Sequence, residues 1–568
     1  MRGLSSYNFV FNSGKIQLLK KYDVIIVGAG VCGIYQAYKL CQMNMDFLVL
    51  EQGSDLGGTW YWNRYPGCRF DSESETYGYS FSKDLLQEWN WKEHYAPREE
   101  TESYLHFVAA KFNLRKFMRF NSELSSAIWQ ENDKCWKIKT KDGSILFTKY
   151  LLTAIGLLSC PTPPKFKGLQ NFKGTSFHTY NAPKKPINYA GKRVAVVGTG
   201  ATGVQVICAI AKQVKNLVVF QRRPNWCAPL HNSIISQSEM TDIKKNYDAI
   251  FEKCRSTPSG FYHNFDSRKT FEVSESDREQ FWEELYASPG FGVWLGNFKD
   301  TLSDEKANLE FSNFVAKKIR QRVKSPEIAE LLIPKDHGFG TRRVPMEKGY
   351  YEVFNQSNVQ LVNLEENPIV EVTKTGIMTA KEEHNFDIII YATGFDAVTG
   401  SFDRIEFIGK DGISLKEKWE NGPKTVYGLA VPNFPNLLTL AGPQSGSVAT
   451  NFPRGIEEAV DWSSDFLEFL EKNKVGYFDA KQEAEEFWND HVNEMSKKIL
   501  FAKEKSWFTG YNVNVDKKYK GMCLIYAGGQ IRFREFITNE KTQRYPSFDK
   551  FTYDQDSLEH LGEVIATR

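Results

Sequence analysis

Short apolar runs that pass directly into helix-spaced segments occur at two places in the chain. The first, DVIIVGAG, precedes VCGIYQAYKL, and the second, KRVAVVGTG, precedes ATGVQ. Uninterrupted apolar runs are typical of strands buried on both faces of a parallel sheet, and the spacing that follows them is typical of amphipathic helices. The pattern therefore predicts an α/β protein with two Rossmann-like domains.

The pattern changes between about residues 232 and 335. Charged segments with helical spacing, among them SESDREQFWEELY and KANLEFSNFVAKKIRQRV, replace the strand-like runs. They predict a helical insertion attached to the second domain. The predicted division is an N-terminal arm at 1–20, the first domain at 21–165 and 387–568, the second domain at 166–231 and 336–386, and the insertion at 232–335.

Glycines between the first strand and its helix have the spacing GxGxxG, at Gly28, Gly30 and Gly33. The first permits a tight turn, the second lets a pyrophosphate approach the backbone, and the third lets helix and strand pack closely. The next apolar strand ends at Glu51, whose carboxylate can accept hydrogen bonds from ribose hydroxyls. An acidic residue there indicates an adenosine without a 2′-phosphate, and hence FAD or NAD.

The second unit repeats this spacing at Gly198, Gly200 and Gly203, but its next strand ends differently. That strand, NLVVFQRR, ends in Arg222 and Arg223 instead of an acid. Paired guanidiniums suit a 2′-phosphate, although two arginines could also be an ordinary solvated strand edge. An acidic first site and a basic second site predict a protein that transfers hydride from NADPH to FAD.

Charge and cysteine content exclude several classes of partner. The 568 residues include 72 Lys and Arg against 70 Asp and Glu, so no general field favours nucleic acid or an anionic membrane. The nine cysteines lack CxxC or zinc-like spacing, which argues against a dithiol flavin reductase and against a metal site. No segment resembles a secretory signal or a membrane span. We expect a cytoplasmic monomer or weak homo-oligomer without membrane contact.

A stretch rich in glycine and aromatic residues, GSDLGGTWYWNRYPGCRFD, follows Glu51. Taken alone, its glycines could be turn residues and its tryptophans core residues. It resembles the fingerprint (A/G)GxWxxxx(F/Y)P(G/M)xxxD of the type I Baeyer–Villiger monooxygenases, which are class B flavoprotein monooxygenases similar to cyclohexanone and phenylacetone monooxygenases. Every fixed position is matched, by Gly57, Gly58, Trp60, Tyr65, Pro66, Gly67 and Asp71.

A second family motif, FxGxxxHxxxW, is matched only in part. Phe172, Gly174 and His178 fit, but Ala182 replaces the tryptophan. In the family this segment links the two nucleotide domains, and its histidine influences catalysis indirectly. The departure leaves room for relatives that oxidise amines or sulfur, and taken alone His178 would be a hydrogen-bonded linker histidine.

Three later segments extend the resemblance over most of the chain from about residue 22. In FGTRRVPMEKGYY, Arg343 matches the family's catalytic arginine and Arg342 stands where relatives usually have lysine, whereas TRR alone would be a solvated basic turn. DIIIYATGFD resembles the return of the chain to the FAD domain. KSWFTGYNV resembles the C-terminal loop that brings Trp507 toward the substrate and NADP, although a plain core position is the alternative for this tryptophan.

The resemblance implies an NADPH- and O2-dependent monooxygenase that converts ketones to esters or lactones through a peroxyflavin. Oxidation of sulfides or amines is the alternative activity, and a redox sensor without turnover is the alternative from another class. Arg343 would stabilise negative charge, and Asp71 would orient it. The implied FAD residues are Gly28, Gly30, Gly33, Glu51, Gly58, Thr59, Trp60, Asp71, Tyr77 and Phe452. The implied NADP residues are Arg69, Gly198, Thr199, Gly200, Ala201, Thr202, Gly203, Gln205, Arg222, Arg223, Arg342, Arg343 and Trp507.

Overall fold

The computed structural model describes residues 7–12, 15–447, 450–512, 514–515 and 521–552. Residues 1–6 of the predicted arm and residues 553–568 of the predicted last segment lie outside this part. Within the arm, Tyr7–Asn12 and the beginning of Lys15–Val27 form an antiparallel hairpin. The arm is therefore continuous with the first strand of the first domain.

The first dinucleotide fold is built on a nine-stranded mixed sheet. Its central strand is buried on both faces, because Val24 and Ile26 belong to one hydrophobic core and Ile25 and Val27 to another. This strand, Lys15–Val27, pairs in parallel with Phe47–Leu50 and with Ile145–Thr153. The order is Glu406–Ile408, Leu124–Gln130, Cys135–Thr140, Ile145–Thr153, Lys15–Val27, Phe47–Leu50 and Met118–Arg119, with Leu437–Thr439 beside Ile145–Thr153 and Tyr7–Asn12 beside Lys15–Val27.

Two long helices of this fold, Val31–Gln42 and Phe452–Lys472, pack against each other. The Tyr35 hydroxyl donates to Asp461 Oδ1 at 2.6 Å, and Gln36 Nε2 donates to Ser464 Oγ at 3.2 Å. A separate pair of antiparallel strands, far apart in sequence, joins Val475–Ala480 to Phe548–Thr552. The remaining α-helices of this fold are Thr59–Trp62, Ser74–Tyr77, Lys83–Glu88, Arg98–Lys111, Gly400–Asp403, Leu415–Lys418, Gln482–Ser496 and Gln530–Thr542.

The second dinucleotide fold is a parallel five-stranded sheet with the helices Ala201–Ile210 and Tyr350–Val353. The strand Ile388–Tyr391 lies inside this sheet, so its assignment to the first domain from residue 387 is wrong. An apolar run looks the same in either sheet, and only its long-range partners decide between them. The order is Val359–Asn363, Asn216–Gln221, Arg193–Val197, Ile388–Tyr391 and Thr175–His178, and the small sheets are Ile369–Val372 with Gly376–Thr379 and Glu383–Asn385, and Ala228–Pro229 with Met346–Glu347.

The segment from 232 to 335 is helical, as its charge pattern predicts. Met240 and Tyr247 of its first helix join the core of the first fold, whereas Trp282 and Phe311 join the core of the second. The insertion therefore contacts both folds and is not attached to the second alone. Its helices are Gln237–Arg255, Glu275–Ala287, Gly292–Leu295, Glu305–Arg322 and Pro326–Leu332.

The chain passes between the two folds twice, and the two passages lie side by side. The Thr162 N–H donates to the Gly394 carbonyl at 2.9 Å, and the Thr393 hydroxyl donates to the Thr162 carbonyl at 2.7 Å. Pro161 and Phe395 form an antiparallel bridge. We call this two-stranded connection, residues 160–162 and 393–396, the ribbon.

Candidate active site

The first glycine loop faces the fingerprint loop backbone to backbone. A Cβ on Gly30 would lie 3.3 Å from Gly58 Cα, and one on Gly58 would lie 2.8 Å from Gly30 Cα. Gly58 also has φ +53, which disfavours a side chain. A Cβ on Gly33 would lie 1.8 Å from the Gly28 carbonyl, so the helix begins directly against the strand. This arrangement fits a pyrophosphate held by bare backbone at a helix N-terminus.

Glu51 is buried at the end of the second strand and holds this loop. Its two carboxylate oxygens accept hydrogen bonds from the backbone N–H groups of Ala29 at 2.8 Å and Gly53 at 2.7 Å. Burial raises the pKa of the Glu51 carboxyl, and these two hydrogen bonds oppose that shift. Because a carboxylate has about four acceptor positions, Glu51 can still accept bonds from a ribose, as the sequence predicts.

The fingerprint residue Trp60 belongs to the core, and Tyr77, six residues beyond the fingerprint, packs against that core. Trp60 Nε1 donates to the Tyr77 hydroxyl at 2.9 Å, and the Tyr77 ring stacks on Phe70 at 4.1 Å. Thr59 and Phe452 are each the first residue of a helix, with Thr59 exposed and Phe452 half-buried. The core alternative therefore describes Trp60 better, and its contact with FAD stays a prediction.

The second glycine loop leaves open space where a pyrophosphate is expected. A Cβ on Gly200 would meet no atom within 4 Å. Ala201 and Thr202 follow as the first residues of the helix Ala201–Ile210, where backbone N–H groups lack partners within the helix. The Thr199 hydroxyl donates to the Arg223 carbonyl at 3.0 Å, which ties the loop to the basic strand end.

Arg223 and Arg342 converge on one carboxylate. Asp336 Oδ2 lies 3.1 Å from Arg342 Nη2 and 3.6 Å from Arg223 Nη1, and Glu504 Oε2 lies 3.4 Å from the same Arg342 nitrogen. A hydrogen bond from His337, supported by the charge of Arg342, holds the pKa of Asp336 below its usual range. Two guanidiniums that meet at one point suit a doubly charged phosphate. Neither Asp336 nor Glu504 has a signal in the sequence that predicts this contact.

The two folds meet where the fingerprint crosses the helix Ala201–Ile210. Gly67 has φ +78, and a Cβ there would lie 2.7 Å from the Gln205 carbonyl and 2.9 Å from Ala209 Cβ. The Tyr65 hydroxyl donates to Gln205 Oε1 at 3.0 Å, and Gln205 Nε2 donates to the Arg69 carbonyl at 3.0 Å. Gln205, predicted to contact NADP, thus has an observed docking role.

Two further residues predicted to contact NADP have protein partners. Arg69 Nη1 donates to Glu93 Oε2 at 3.0 Å and to the Tyr95 carbonyl at 2.9 Å. Trp507 is half-buried, with its ring edge-on to Phe508 at 4.3 Å. Their contacts with NADP stay predictions.

Arg343 and Asp71 meet although 272 positions separate them in sequence. Arg343 Nη2 donates to Asp71 Oδ1 at 2.6 Å, and Asp71 Oδ2 accepts from the Met346 N–H at 3.4 Å. Asn225 Nδ2 donates to the Arg343 carbonyl at 3.0 Å and fixes the loop from the other side. The resemblance to the family predicts that Asp71 orients Arg343, whereas nothing in the sequence points to Asn225.

His178 lies at the ribbon. Its ring is buried, edge-on to Phe395 at 5.9 Å, and Nδ1 accepts from the Tyr180 N–H at 3.2 Å. Burial lowers the pKa of His178 to about 4, so the ring is neutral at pH 7. The Tyr180 ring stacks on Trp62 of the fingerprint at 5.2 Å. His178 is therefore a hydrogen-bonded linker residue that packs near the first fold.

Comparison with known proteins agrees with this geometry. The family model described as pyridine nucleotide-disulphide oxidoreductase matches residues 25–276. The 2-oxo-Delta(3)-4,5,5-trimethylcyclopentenylacetyl-CoA monooxygenase of Pseudomonas putida is 43% identical over 93% of this chain and 98% of its own length. Cyclopentanone 1,2-monooxygenase of Comamonas sp. is 38% identical over 87% of this chain and 90% of its own. The crystal structure of OTEMO in complex with FAD and NADP has a TM-score of 0.90 and 43% identity, and covers 93% of this chain and 99% of that one.

The chain belongs to the Baeyer–Villiger monooxygenase family. Membership confirms the predicted family, the α/β fold with two Rossmann-like domains, and an FAD-dependent monooxygenase with NADP as second cofactor. Another similar protein is phenazine N-monooxygenase PhzNO1 of Lysobacter antibioticus, which is 34% identical over 93% of this chain and 96% of its own length. In the part of this Baeyer–Villiger monooxygenase that the structure describes, no helix is long and apolar enough to span a membrane.

Proposed function

We propose that this Baeyer–Villiger monooxygenase oxidises ketones to esters or lactones, with NADPH as reductant and O2 as oxidant. The observation that carries the proposal is the Asp71–Arg343 ion pair. It sets a guanidinium between the fingerprint of the first fold and the arginine loop that follows the insertion. The substrate names of the two cyclic-ketone relatives support the same reaction.

Arg343 is the proposed electrostatic catalyst. Bound FAD, once reduced by NADPH, would supply the chemistry that activates O2, from which one oxygen atom enters the ketone and the other leaves as water. Arg343 retains N–H donors beyond those that bind Asp71 and Val344, since a guanidinium has five. Such donors can stabilise negative charge that develops on oxygen, and a guanidinium needs no proton transfer to do so.

Asp71 is the proposed positioning partner of Arg343. Its side chain is 12% exposed and that of Arg343 is 32% exposed, so the pair is largely shielded from water. A charge-assisted hydrogen bond in such surroundings fixes the orientation of the guanidinium before substrate arrives. Asp71 would therefore determine where Arg343 points, while Arg343 contacts the reacting oxygen.

Selection of NADPH is assigned to Arg223 and Arg342. Their guanidiniums meet at Asp336, close to the glycine loop that Thr199 ties to Arg223. Arg222 and Arg223 are both exposed, and we assign Arg222 a supporting electrostatic role because Arg223 is the one that approaches Asp336. Lysine, usual in relatives at the position of Arg342, would offer a point charge where arginine offers a planar donor pair.

N-oxidation is a second candidate function. It is favoured by the similarity to a phenazine N-monooxygenase and by Ala182, which departs from the linker motif. The residues around Arg343 do not distinguish the two reactions, because an oxyanion-stabilising guanidinium does not prevent attack by a basic nitrogen.

The test is product analysis with purified holoenzyme, NADPH and O2. Cyclopentanone, cyclohexanone, a linear ketone, an aryl ketone, phenazine and a sulfide are supplied separately. We expect lactone or ester from at least one ketone at a rate above that of N-oxide or sulfoxide formation. N-oxide from phenazine with no ester from any ketone would replace the proposal by the second candidate.

We also propose the domain bounds, the cellular compartment and the oligomeric state of the protein. We assign 21–165 and the segment from 392 onward to the FAD domain, and 166–231 with 336–391 to the NADP domain. All nine cysteines are free thiols, which supports a reducing compartment such as the cytoplasm. Light scattering on the purified protein would test the predicted monomer or weak homo-oligomer.

A further inference from the structure

Two aromatic rings of the insertion cover the guanidinium of Arg343. The Phe291 ring centroid lies 5.0 Å from Arg343 Cζ, and the Trp294 centroid lies 5.9 Å from it. Phe291 is buried, and its ring also packs edge-on against Phe261 at 5.1 Å. Asp71 binds one edge of the guanidinium, while these rings limit its movement on another side.

The segment that carries these rings is fixed by the glycines on either side of Phe291. Gly290 has φ +67, and a Cβ there would lie 2.3 Å from the Tyr95 hydroxyl and 2.9 Å from Glu73 Oε1. A Cβ on Gly292 would lie 3.4 Å from His263 Nδ1. The backbone of this segment, residues 288–295, thus rests directly on the polar atoms of Glu73, Tyr95 and His263.

Glu73 and His263 form a side-chain hydrogen bond across the interface between the first fold and the insertion. Glu73 Oε1 lies 2.9 Å from His263 Nε2, and the Glu73 side chain is only 9% exposed. Its other oxygen, Oε2, has no hydrogen-bond partner among the described residues. Burying a polar side chain so fully costs hydration free energy unless its hydrogen bonds are replaced. A hydrophobic contact would avoid that cost, so the buried polar contact points to a role in geometry.

We propose that the Glu73–His263 pair is a positioning pair, which sets Phe291 and Trp294 against Arg343 and so couples NADPH oxidation to oxygenation. Glu73 stands two residues after Asp71, so one short stretch of chain, residues 71–73, orients the guanidinium through Asp71 and holds the aromatic rings that cover it through Glu73. Neither residue touches Arg343, and both act through the segment 288–295. The coupling part of this inference rests on the proposed function, whereas the structural part does not.

The chain offers a matched control in Glu75. This carboxyl is also buried, two residues further along the same stretch, but it faces Tyr262 and not the segment 288–295. Glu73→Gln and Glu75→Gln each replace a buried carboxyl by an amide with little change of shape. His263→Gln tests the other member of the pair, and the double variant Glu73→Gln/His263→Gln tests whether the two act together.

The first measurement is hydrogen exchange of the holoenzyme without NADPH. The Gly290 amide donates to the Leu230 carbonyl at 3.1 Å and the Trp294 amide to the Phe291 carbonyl at 2.9 Å, so both report on this segment. We expect Glu73→Gln and His263→Gln to speed exchange in 288–295 about tenfold, with Glu75→Gln unchanged there. Unchanged exchange in both pair variants, or a uniform rise throughout the chain, would overturn the inference.

The second measurement is the yield of ester and of hydrogen peroxide for a known amount of NADPH consumed, expressed as the ratio of ester to hydrogen peroxide. We expect this ratio to fall about tenfold in either pair variant, because small displacements at a reacting site have large effects on rate. We further expect an unchanged KM for NADPH and no additional loss in the double variant. A wild-type enzyme that forms no ester would contradict the proposed function and leave the exchange result to decide the positioning role. A normal ratio in Glu73→Gln would disprove the coupling.

Discussion

Arg342 and Arg343 are adjacent in sequence, but their guanidiniums face different partners. Arg343 binds Asp71 of the first fold, whereas Arg342 binds Asp336 of its own loop and Glu504 of the C-terminal segment. Consecutive side chains on an extended loop point to opposite sides. The double arginine therefore places one charge at the proposed reaction centre and the other at the proposed phosphate site.

Replacement of Arg343 separates oxygenation from cofactor oxidation. In Arg343→Ala we expect ester formation to fall by about 100-fold or more, since loss of one oxyanion donor has an effect of that size. FAD content and NADPH consumption should persist, with hydrogen peroxide as the product. Arg343→Lys, which keeps the charge but not the planar donors, should recover only part of the activity. Ester formation at the wild-type rate in Arg343→Ala would show that this guanidinium is not the catalyst.

Replacement of the basic strand end changes the choice of nucleotide. We expect Arg222→Ala/Arg223→Ala to lower the preference for NADPH over NADH about tenfold or more, because charge-assisted bonds to phosphate are lost. The geometry further predicts that Arg223→Ala accounts for most of the change, since Arg223 and not Arg222 approaches Asp336. Dissociation constants of NADP+ and NAD+ for each variant give the answer. An unchanged ratio in the double variant would place the 2′-phosphate elsewhere.

Because of Glu75, we expect the free energy of unfolding to decrease as the pH rises. Burial, assisted by the nearby charge of Glu73, raises the pKa of Glu75 from 4.5 to about 7. The folded state then holds the proton more tightly than the unfolded state, so stability falls as pH rises from about 4.5 through 7. A shift of that size corresponds to roughly 3 kcal/mol.

Glu75→Gln should remove this dependence. We expect the variant to unfold at a higher temperature than wild type at pH 8 and at nearly the same temperature at pH 4.5. Glu252→Gln, on an exposed side chain of the neighbouring helix, serves as the control and should shift neither value. A variant that is less stable than wild type at pH 8 would mean that the carboxylate has a favourable ionic partner there.

At the scale of elements, local spacing predicts the two glycine loops correctly because their geometry depends on neighbouring residues. Gly30 and Gly200 stand where a strand turns into a helix, as their spacing requires. The apolar strand Ile388–Tyr391 was assigned to the wrong sheet because parallel pairing is decided by residues far away in sequence. For Trp60, burial alone does not separate a core indole from one that contacts a cofactor, so its contact with FAD stays a prediction.

Docking of the two folds depends on the absence of a side chain at Gly67. In Gly67→Ala the new methyl group would meet the helix Ala201–Ile210, and its positive φ would add strain of about 1 kcal/mol. Gly143→Ala isolates the strain, because Gly143 has φ +88 and open space around it. We expect a clearly larger fall in thermal stability for Gly67→Ala than for Gly143→Ala. Equal falls would show that the contact with the helix does not contribute.

At the scale of the whole molecule, most of the contacts that have no signal in the sequence join distant segments, and Asp336 beside Arg342 is the local exception. Asp71 and Arg343 could be paired in advance only because a family motif marks both. Glu504 beside Arg342 and His263 beside Glu73 have no local signal, since each lies in a segment whose position depends on how the insertion and the C-terminal loop pack. Helical spacing predicts the insertion, but not that it would contact both folds.

The ribbon determines how the two halves can move relative to each other. Both passages of the chain lie at one place, and hydrogen bonds between them hold them together in the ribbon. The ribbon bends more readily than its two strands separate, so it acts as a single hinge and not as two independent connections. When one fold rotates about this hinge, each of its atoms is displaced in proportion to its distance from the hinge axis. Contacts between the two folds that lie far from the ribbon would therefore open first and close last. His178, which packs against the ribbon, would hardly move.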